Sequence, residues 1–257
     1  MSTDPGLQLA TIRQYAKQLY LPTLAIQCER LAEQAGKQQL SHLRFLEALL
    51  EAEVEEREHR TVHRRIQEAH FPVVKTLEEF DFEAAPQIPA ALLRDLSEGG
   101  YLASKEPVIF LGETGTGKSH LATGLAVAAC RQRKRVRFTT VAEMVTELIE
   151  AKNQNELNRV RGRWTRYELV VLDEMGYVGM SEPAAELLFQ VIAGRAERAA
   201  MIVTTNLPFS EWTTMFPNAR LCKAMLDRLT DQAHIIDTGK ESYRFRRSLA
   251  KKKGGRP

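Results

Sequence analysis

The sequence has few cysteines, few aromatic residues and no long apolar run. Its three cysteines lie far apart and form no Cys-x-x-Cys pair, so we expect reduced, buried thiols. Aromatic residues make up 7% of the 257 residues, which disfavours a sandwich or barrel rich in Tyr and Trp. No stretch approaches the roughly 18 apolar residues that a membrane span needs, and the first residues show no secretory signal. We therefore expect a globular protein of the cytoplasm, without a membrane partner.

The net charge of +3 is distributed unevenly along the chain. Residues 239–257 contain eight basic residues and a single acidic one, Glu241, so this tail carries +7 and the rest of the chain −4. Such a tail is either an arm that binds a polyanion or a solvated chain end.

Hydrophobic periodicity divides the chain into three parts. Residues 1–70 contain no strand pattern, and the spacing of Leu43, Leu46, Leu50 and Val54 predicts a helix. Pro72 disfavours continuation of that helix, and residues 71–90 read as a linker that packs on the next domain. We therefore predict a helical N-terminal domain (1–70), a second domain (71–238) that includes this linker, and a basic C-terminal tail (239–257).

From about residue 100 the patterns of strands and helices alternate, which is typical of a parallel sheet covered on both faces. The predicted strands are Pro107–Leu111, Val136–Thr140, Leu169–Leu172, Met201–Thr205 and His234–Asp237. The predicted helices are Lys118–Arg131, Val141–Lys152, Glu182–Arg198 and Ala219–Leu229.

A phosphate-binding loop follows the first predicted strand. The segment 112–119 reads Gly-Glu-Thr-Gly-Thr-Gly-Lys-Ser, which matches G-x-x-x-x-G-K-[ST] in full. Glycines allow backbone N–H groups to surround phosphate oxygens, and the N-terminus of the following helix favours negative charge. Lys118 is expected to bind the β- and γ-phosphates and Ser119 to bind Mg²⁺. The candidate nucleotide-binding residues are Gly112, Glu113, Thr114, Gly115, Thr116, Gly117, Lys118, Ser119 and His120.

Polar residues end two later strands. Asp173 and Glu174 follow the apolar run 169–172, and the carboxyl end of a strand is where open α/β sheets bind ligands. Asp173 is expected to hold Mg²⁺ and Glu174 to activate a water for attack on the γ-phosphate. Asn206 ends a further core strand and is able to hydrogen-bond the attacking water or the γ-phosphate, although an Asn before Leu-Pro is also an ordinary turn residue.

The order of these motifs resembles the AAA+ ATPases, and within them the chain is similar to the IstB-like transposition helper ATPases, close kin of the DnaC-type helicase loaders. The segments that carry the resemblance, besides the phosphate-binding loop, are 70–82, 173–177, 206–212, 227–229 and 241–244. The resemblance implies an α/β fold: an AAA+ P-loop NTPase with a parallel sheet and helices on both faces, preceded by a small all-helical N-terminal domain.

The resemblance also implies roles for individual residues. Asp173 and Glu174 would form the Walker B pair, Asn206 the sensor, and Arg228 an arginine finger for the γ-phosphate of a neighbouring subunit. Arg220 and Arg244 are rival finger or sensor candidates, and an ordinary ion pair is the alternative for Arg228. The linker around 77–82 would cover the adenine.

The implied function is a DNA-transposition accessory ATPase. It would bind ATP and Mg²⁺, form an ATP-dependent homo-oligomer on double-stranded DNA, and engage a transposase to regulate it or its choice of target site. The N-terminal domain (1–70) would bind the partner or DNA. A replicative helicase loader is the main alternative; a P-loop kinase and an ATP-bound scaffold are others. One group of basic residues is the candidate DNA contact, with a solvated helix face as its alternative. These residues are Lys152, Arg159, Arg161, Arg163 and Arg166.

Overall fold

The computed structural model describes residues 5–176 and 179–243. The chain forms two compact units, one ending at Arg64 and the other beginning at Arg65. The domain boundary predicted from the sequence follows residue 70. Of the predicted basic tail, residues 244–257 lie outside the described residues, as do Arg244 and Tyr177.

The N-terminal unit is helical, as its sequence predicts. Helix α1 covers Pro5–Gln18, α2 covers Pro22–Lys37, and α3 begins at His42 and ends at Glu68, shortly before Pro72. The N-cap residue of α2, Leu21, provides no side-chain hydrogen bond to the start of the helix. The buried carboxylate of Glu53 caps the helix instead, because its Oε2 accepts hydrogen bonds from the backbone N–H groups of Thr23 (2.8 Å) and Leu24 (3.0 Å). Glu53 thereby fastens α3 to the start of α2.

The apolar row that predicts α3 is not the row that this unit buries. Leu43 and Leu46 are 79% and 50% exposed, and Leu50 and Val54 are similarly exposed. On the same helix Leu49 and Glu53 are buried. The periodicity therefore predicted the helix correctly, whereas the packing inside the unit selected a different face of it.

The second unit is built on a five-stranded parallel sheet with the strand order β2-β3-β4-β1-β5. The strands are β1 Val108–Leu111, β2 Val136–Thr140, β3 Leu169–Met175, β4 Ala200–Thr205 and β5 His234–Asp237. All five agree with the predicted strands to within three residues at each end. Because every strand runs in the same direction, all five carboxyl ends lie along one edge of the sheet.

Successive residues of the central strands bury alternately on the two faces of the sheet. Val170 and Leu172 belong to one apolar cluster, and Leu169 and Val171 belong to the other. Helices cover both faces, which confirms the predicted α/β architecture. The helices of this unit are α4 Ala90–Ser97, α5 Gly100–Ser104, α6 Lys118–Arg131, α7 Val141–Asn153, α8 Leu157–Trp164, α9 Glu182–Arg195 and α10 Ala219–Thr230, with a 3₁₀ helix at Phe209–Thr214.

Some of these helices differ from the predicted ones in length or have no clear pattern in the sequence. The helix α9 ends at Arg195 rather than Arg198. The short α4, α5 and α8 were not predicted; only Val160 and Trp164 of α8 are buried, which is too few apolar positions for a clear period.

Cys28, Cys130 and Cys222 are free and buried, and burial raises the pKa of the Cys130 thiol to about 12. The linker packs on the second unit as predicted, since Leu77, Phe80 and Phe82 join the cluster around α6. No helix among the described residues is both long enough and apolar enough to cross a bilayer.

We predict that Glu53→Ala destabilises the start of α2 by about 2 kcal/mol, because the N–H groups of Thr23 and Leu24 lose their acceptor. Hydrogen exchange of the α2 amides in the full chain measures this free energy. The matched control is Glu55→Ala, which removes the same charge from an exposed position of α3 and is expected to change it by less than about 0.5 kcal/mol. Equal effects of the two substitutions would contradict the capping role.

Candidate nucleotide-binding site

The phosphate-binding loop lies between β1 and α6, at the carboxyl edge of the sheet. Gly117 is the N-cap of α6 with φ +103°, and a Cβ on it would lie 2.7 Å from Cε2 of Phe80. Gly115 has φ +87°, and a Cβ there would lie 2.3 Å from the Ser242 hydroxyl. Both positions combine a left-handed backbone with a close neighbour, which only glycine accommodates.

Lys118 is held against its own loop. Its Nζ donates hydrogen bonds to the carbonyl oxygens of Gly112 (2.7 Å) and Glu113 (2.8 Å). These contacts keep the ammonium group at the mouth of the loop, where a phosphate can replace the carbonyl partners. The side chain of Glu113 is exposed to solvent, so a carboxylate at this position of the loop can remain hydrated and away from the phosphates.

Ser119 and Asp173 meet although they are far apart in sequence. Ser119, in the first turn of α6, donates its hydroxyl proton to Oδ1 of Asp173 at 2.9 Å. Asp173 lies near the end of β3 and is 6% exposed. The same Oδ1 accepts a hydrogen bond from the hydroxyl of Thr204 on β4. A hydroxyl and a carboxylate side by side are oxygen ligands of the type that Mg²⁺ takes in nucleotide sites, so these two residues fit the expected ion.

Glu174 lies within β3, at a bulge in the strand. Its φ is +63°, and the ladder between β3 and β4 is irregular between Leu172 and Met175. Asp173 is buried, whereas Glu174 is exposed. The bulge thus lets two consecutive carboxylates take different environments at the end of one strand.

Asn206 follows β4 and lies beside the end of β3. A Cβ on Gly176 would be 3.2 Å from Oδ1 of Asn206, which shows how closely the amide approaches the residues after Glu174. The preceding turn is held by the Thr205 hydroxyl, which accepts the N–H of Leu207 at 3.1 Å. The sheet therefore brings the predicted sensor residue to the end of β3, the strand that carries the two carboxylates.

The linker and the segment after β5 enclose the loop on its outer side. Phe80 packs edge-on against the His120 ring, with ring centroids 5.2 Å apart, and Nε2 of His120 lies 2.9 Å from the Thr76 carbonyl oxygen. Burial lowers the pKa of His120. A cavity of about 320 Å³ lies between these parts. Its walls are Lys75, Glu79, Phe80, Asp81, Ala85, Gln87, Gly115, Thr116, Gly117, Lys118, Ser119, His120, Glu241 and Tyr243.

The segment after β5 contacts the phosphate-binding loop, which the sequence did not predict. The N–H of Glu113 donates to the Gly239 carbonyl (3.0 Å), and the N–H of Tyr243 donates to the Gly115 carbonyl (3.0 Å). The hydroxyls of Thr116 and Thr238 are 2.6 Å apart. The two backbone contacts leave no side-chain pattern, and a pair of threonines 122 residues apart is no motif, so the sequence carried no signal for these contacts.

Arg228 lies near the amino ends of the strands, opposite the carboxyl ends that carry the phosphate-binding loop. It is in the last turn of α10, 3.7 Å from Glu197 and about half exposed. It lines a cavity of about 800 Å³ together with Pro107 and Gln232, which precede β1 and β5. Arg220, in contrast, is exposed in the first turn of α10, close in sequence to the end of β4. The phosphate-binding loop follows β1, so Arg228 is separated from the loop of its own chain by the length of the strands.

The candidate DNA contacts lie between β2 and β3, on α7, on α8 and just after it. Lys152, Arg159, Arg163 and Arg166 are exposed and Arg161 is partly buried. Arg159 pairs with Glu156, and Arg163 pairs with Glu147. Two of the five cations therefore carry intramolecular partners, which reduces the charge that this surface presents.

Comparison with known proteins identifies the family. The model of the IstB-like ATP-binding proteins matches residues 14–251. The chain belongs to this family. Among similar IstB-like relatives, an insertion sequence ATP-binding protein of Sinorhizobium fredii is 36% identical over 241 residues, covering 93% of this chain and 81% of the relative. A protein of Pseudomonas aeruginosa, named as an ATP-binding protein of insertion sequence IS21, is 36% identical, covering 89% and 86%.

Solved structures share the fold of this IstB-like protein at low identity. DnaA from Aquifex aeolicus, bound to AMPPCP, aligns with a TM-score of 0.56 and 18% identity, covering 72% of this chain and 56% of that one. DnaI aligns with a TM-score of 0.52 and 16% identity, covering 63% and 90%. The predicted AAA+ fold is confirmed.

We predict that Gly124→Ala weakens nucleotide binding. Gly124 is buried in α6, and a Cβ there would lie 2.7 Å from Cδ2 and 3.1 Å from the backbone nitrogen of Leu77. The linker must move, Phe80 moves with it, and we expect about 1–3 kcal/mol of destabilisation from overpacking. Thermal unfolding and titration with an ATP analogue measure both effects.

Gly194→Ala is the matched control for this substitution. Gly194 also lies within a helix, α9, but nothing approaches the added Cβ within 4 Å. Alanine there is expected to leave affinity unchanged and to stabilise the protein by up to about 1 kcal/mol. Wild-type affinity in Gly124→Ala would show that the linker position does not govern the nucleotide site.

Proposed function

We propose that this chain is an ATPase of DNA transposition, which binds ATP with Mg²⁺, assembles on double-stranded DNA and engages a transposase. The observation that carries the ATPase assignment is the junction of Ser119 with Asp173, beside Lys118 and the exposed Glu174. These are the parts that phosphoryl transfer to water requires. Membership of a family of ATP-binding proteins supports ATP as the nucleotide.

The proposed reaction distributes tasks among these residues. Lys118 leaves its carbonyl partners and binds phosphate oxygens, together with the N–H groups of the loop. Ser119 and Asp173 would hold Mg²⁺, which offsets phosphate charge when bound. Glu174 accepts a proton from a water molecule as the water oxygen attacks the γ-phosphorus, and Asn206 orients that water. The bond to the bridging oxygen breaks, and ADP and inorganic phosphate are released.

Assembly is inferred from the position of Arg228. The arginine lies at the sheet edge opposite its own phosphate-binding loop, so it can stabilise developing phosphate charge only on another copy of the chain. Its weak, exposed contact with Glu197 costs little to break. A nucleotide bound between two copies would account for ATP-dependent oligomers.

The names of the relatives support the proposed biological role. Several relatives are named as insertion sequence ATP-binding proteins. The surface around Arg161 and Arg166 would contact DNA phosphates, so binding would be sensitive to salt. A replicative helicase loader remains the alternative with the same chemistry and a different partner. Stimulation of turnover by a helicase, rather than by a transposase, would favour the loader.

We predict that Glu174→Gln slows hydrolysis strongly, leaves a measurable residual rate, and retains ATP binding. The amide keeps the shape of the side chain but cannot take the proton of the water, and loss of a general base costs about 10²–10⁴ in rate. Steady-state turnover and equilibrium binding of ATP separate the two effects. Wild-type turnover in this variant would favour a scaffold in which ATP is only a structural ligand, and transfer of phosphate to a small molecule would favour a kinase.

We also predict that double-stranded DNA stimulates the ATPase at low salt and not at high salt, and that ATP increases the particle mass. The salt dependence is expected because contacts with DNA phosphates release counterions.

We predict that Arg228→Ala binds ATP normally but turns over about 10³-fold more slowly, as expected for a missing arginine finger. Arg220→Ala is the companion substitution on the same helix and tests the rival finger. A monomer indifferent to DNA would contradict the proposed assembly.

A further inference from the structure

Thr204 contacts both residues of the Asp173–Glu174 pair, although it carries none of the motifs in the sequence. It belongs to β4, pairs with Phe110 of β1, and is 1% exposed. Its hydroxyl donates to Oδ1 of Asp173. The Thr204 hydroxyl oxygen in turn accepts a hydrogen bond from the backbone N–H of Glu174 at 3.0 Å. The hydroxyl therefore contacts both residues of the pair, one through the side chain and the other through the backbone.

The register of the sheet explains why this threonine is needed. Leu172 pairs with Val203 and Met175 with Thr205, so Asp173 and Glu174 together face the single residue Thr204. A bulge of this kind leaves an N–H without a partner in the regular ladder. The Thr204 hydroxyl supplies the missing acceptor for Glu174, whose backbone has φ +63°.

We propose that Thr204 is the positioning residue that sets the orientation of Glu174 for water activation. It holds the left-handed backbone of Glu174 through its N–H, and it ties this position to Asp173 and, through Asp173, to Ser119. The inference rests on the proposed ATP hydrolysis and deepens it: Thr204 acts through Glu174 and is not itself expected to touch the nucleotide.

The hydroxyl, rather than the shape of the side chain, carries the effect. Valine has nearly the same volume but neither donates nor accepts a hydrogen bond. In Thr204→Val the Glu174 N–H and one lone pair of Asp173 would both lose their partner. Serine keeps the hydroxyl, so Thr204→Ser is the conservative variant expected to restore function.

The first experiment compares Thr204→Val, Thr204→Ser and wild type in the full chain. We expect kcat of the valine variant to fall about tenfold to a hundredfold, as a displacement of about 1 Å at a reacting group would cause. Affinity for ATP should stay within about threefold, and the serine variant should recover most of the rate. The matched control is Thr139→Val, which removes a buried hydroxyl of β2 that bonds Thr140 and Glu143 instead; its kcat should match wild type.

The second measurement needs no turnover. The hydrogen exchange of the Glu174 amide, followed by NMR in the nucleotide-free protein, reports the contact directly. Exchange should accelerate by at least about tenfold in Thr204→Val and remain near wild type in Thr204→Ser and Thr139→Val. An unchanged Glu174 amide in the valine variant would overturn the proposal.

A double substitution separates a positioning role from a merely structural one. If Thr204 acts through Glu174, adding Thr204→Val to Glu174→Gln should not reduce the residual rate further. A further loss equal to that in the wild-type background would show an independent effect and overturn the inference. Loss of ATP binding in both Thr204 variants would likewise overturn it, because it would indicate a general structural role.

The outcomes distinguish this inference from the function on which it rests. A wild-type protein that does not hydrolyse ATP under any condition would overturn both. An active wild-type protein with an equally active Thr204→Val would overturn only the role of Thr204, and the ATPase assignment would stand.

Discussion

The candidate site depends on one hydrogen-bond chain that crosses the carboxyl edge of the sheet, from Ser119 to Asp173 and from Asp173 to Thr204. It joins the first turn of α6 to two adjacent strands. Each partner is useful to the site only where the others hold it, because a lone buried carboxylate would be costly without donors. The exposure of Glu174 follows from the same arrangement, since the bulge that turns it outward is closed by the Thr204 hydroxyl.

Two segments that are distant in sequence line the cavity beside the phosphate-binding loop. The linker contributes Phe80 against Gly117 and His120, and the segment after β5 contributes backbone contacts to Glu113 and Gly115. Both press on the loop at glycines, where no side chain intervenes. The linker therefore lines the cavity on one side and the C-terminal segment lines it on the other.

Most of the fold was predictable because its signals are local. Apolar runs such as Leu169–Leu172 predict buried strands, and the alternation with helices predicts a parallel sheet. The reasoning failed where burial is decided by neighbours. The row with Leu43 and Leu46 predicts α3, yet Leu49 and Glu53 are the buried residues. The charge of Glu53 is compensated partly by two arginines of α3 and partly by N–H groups at the start of α2, and the sequence does not show that this second helix lies nearby.

The order of the chemical parts can be read directly from the residues: a glycine-rich loop, then a pair of carboxylates, then an amide, each after an apolar strand. Their identity is local information, because spacing within a loop or at the end of a strand depends on adjacent residues. The contacts between these parts, in contrast, depend on folding. Thr204 looks like any β-branched strand residue until the register sets it opposite the bulge, and Arg228 is placed at the far edge by the direction of α10. Strand pairing and helix direction are long-range properties, and therefore these contacts exist only in the folded chain.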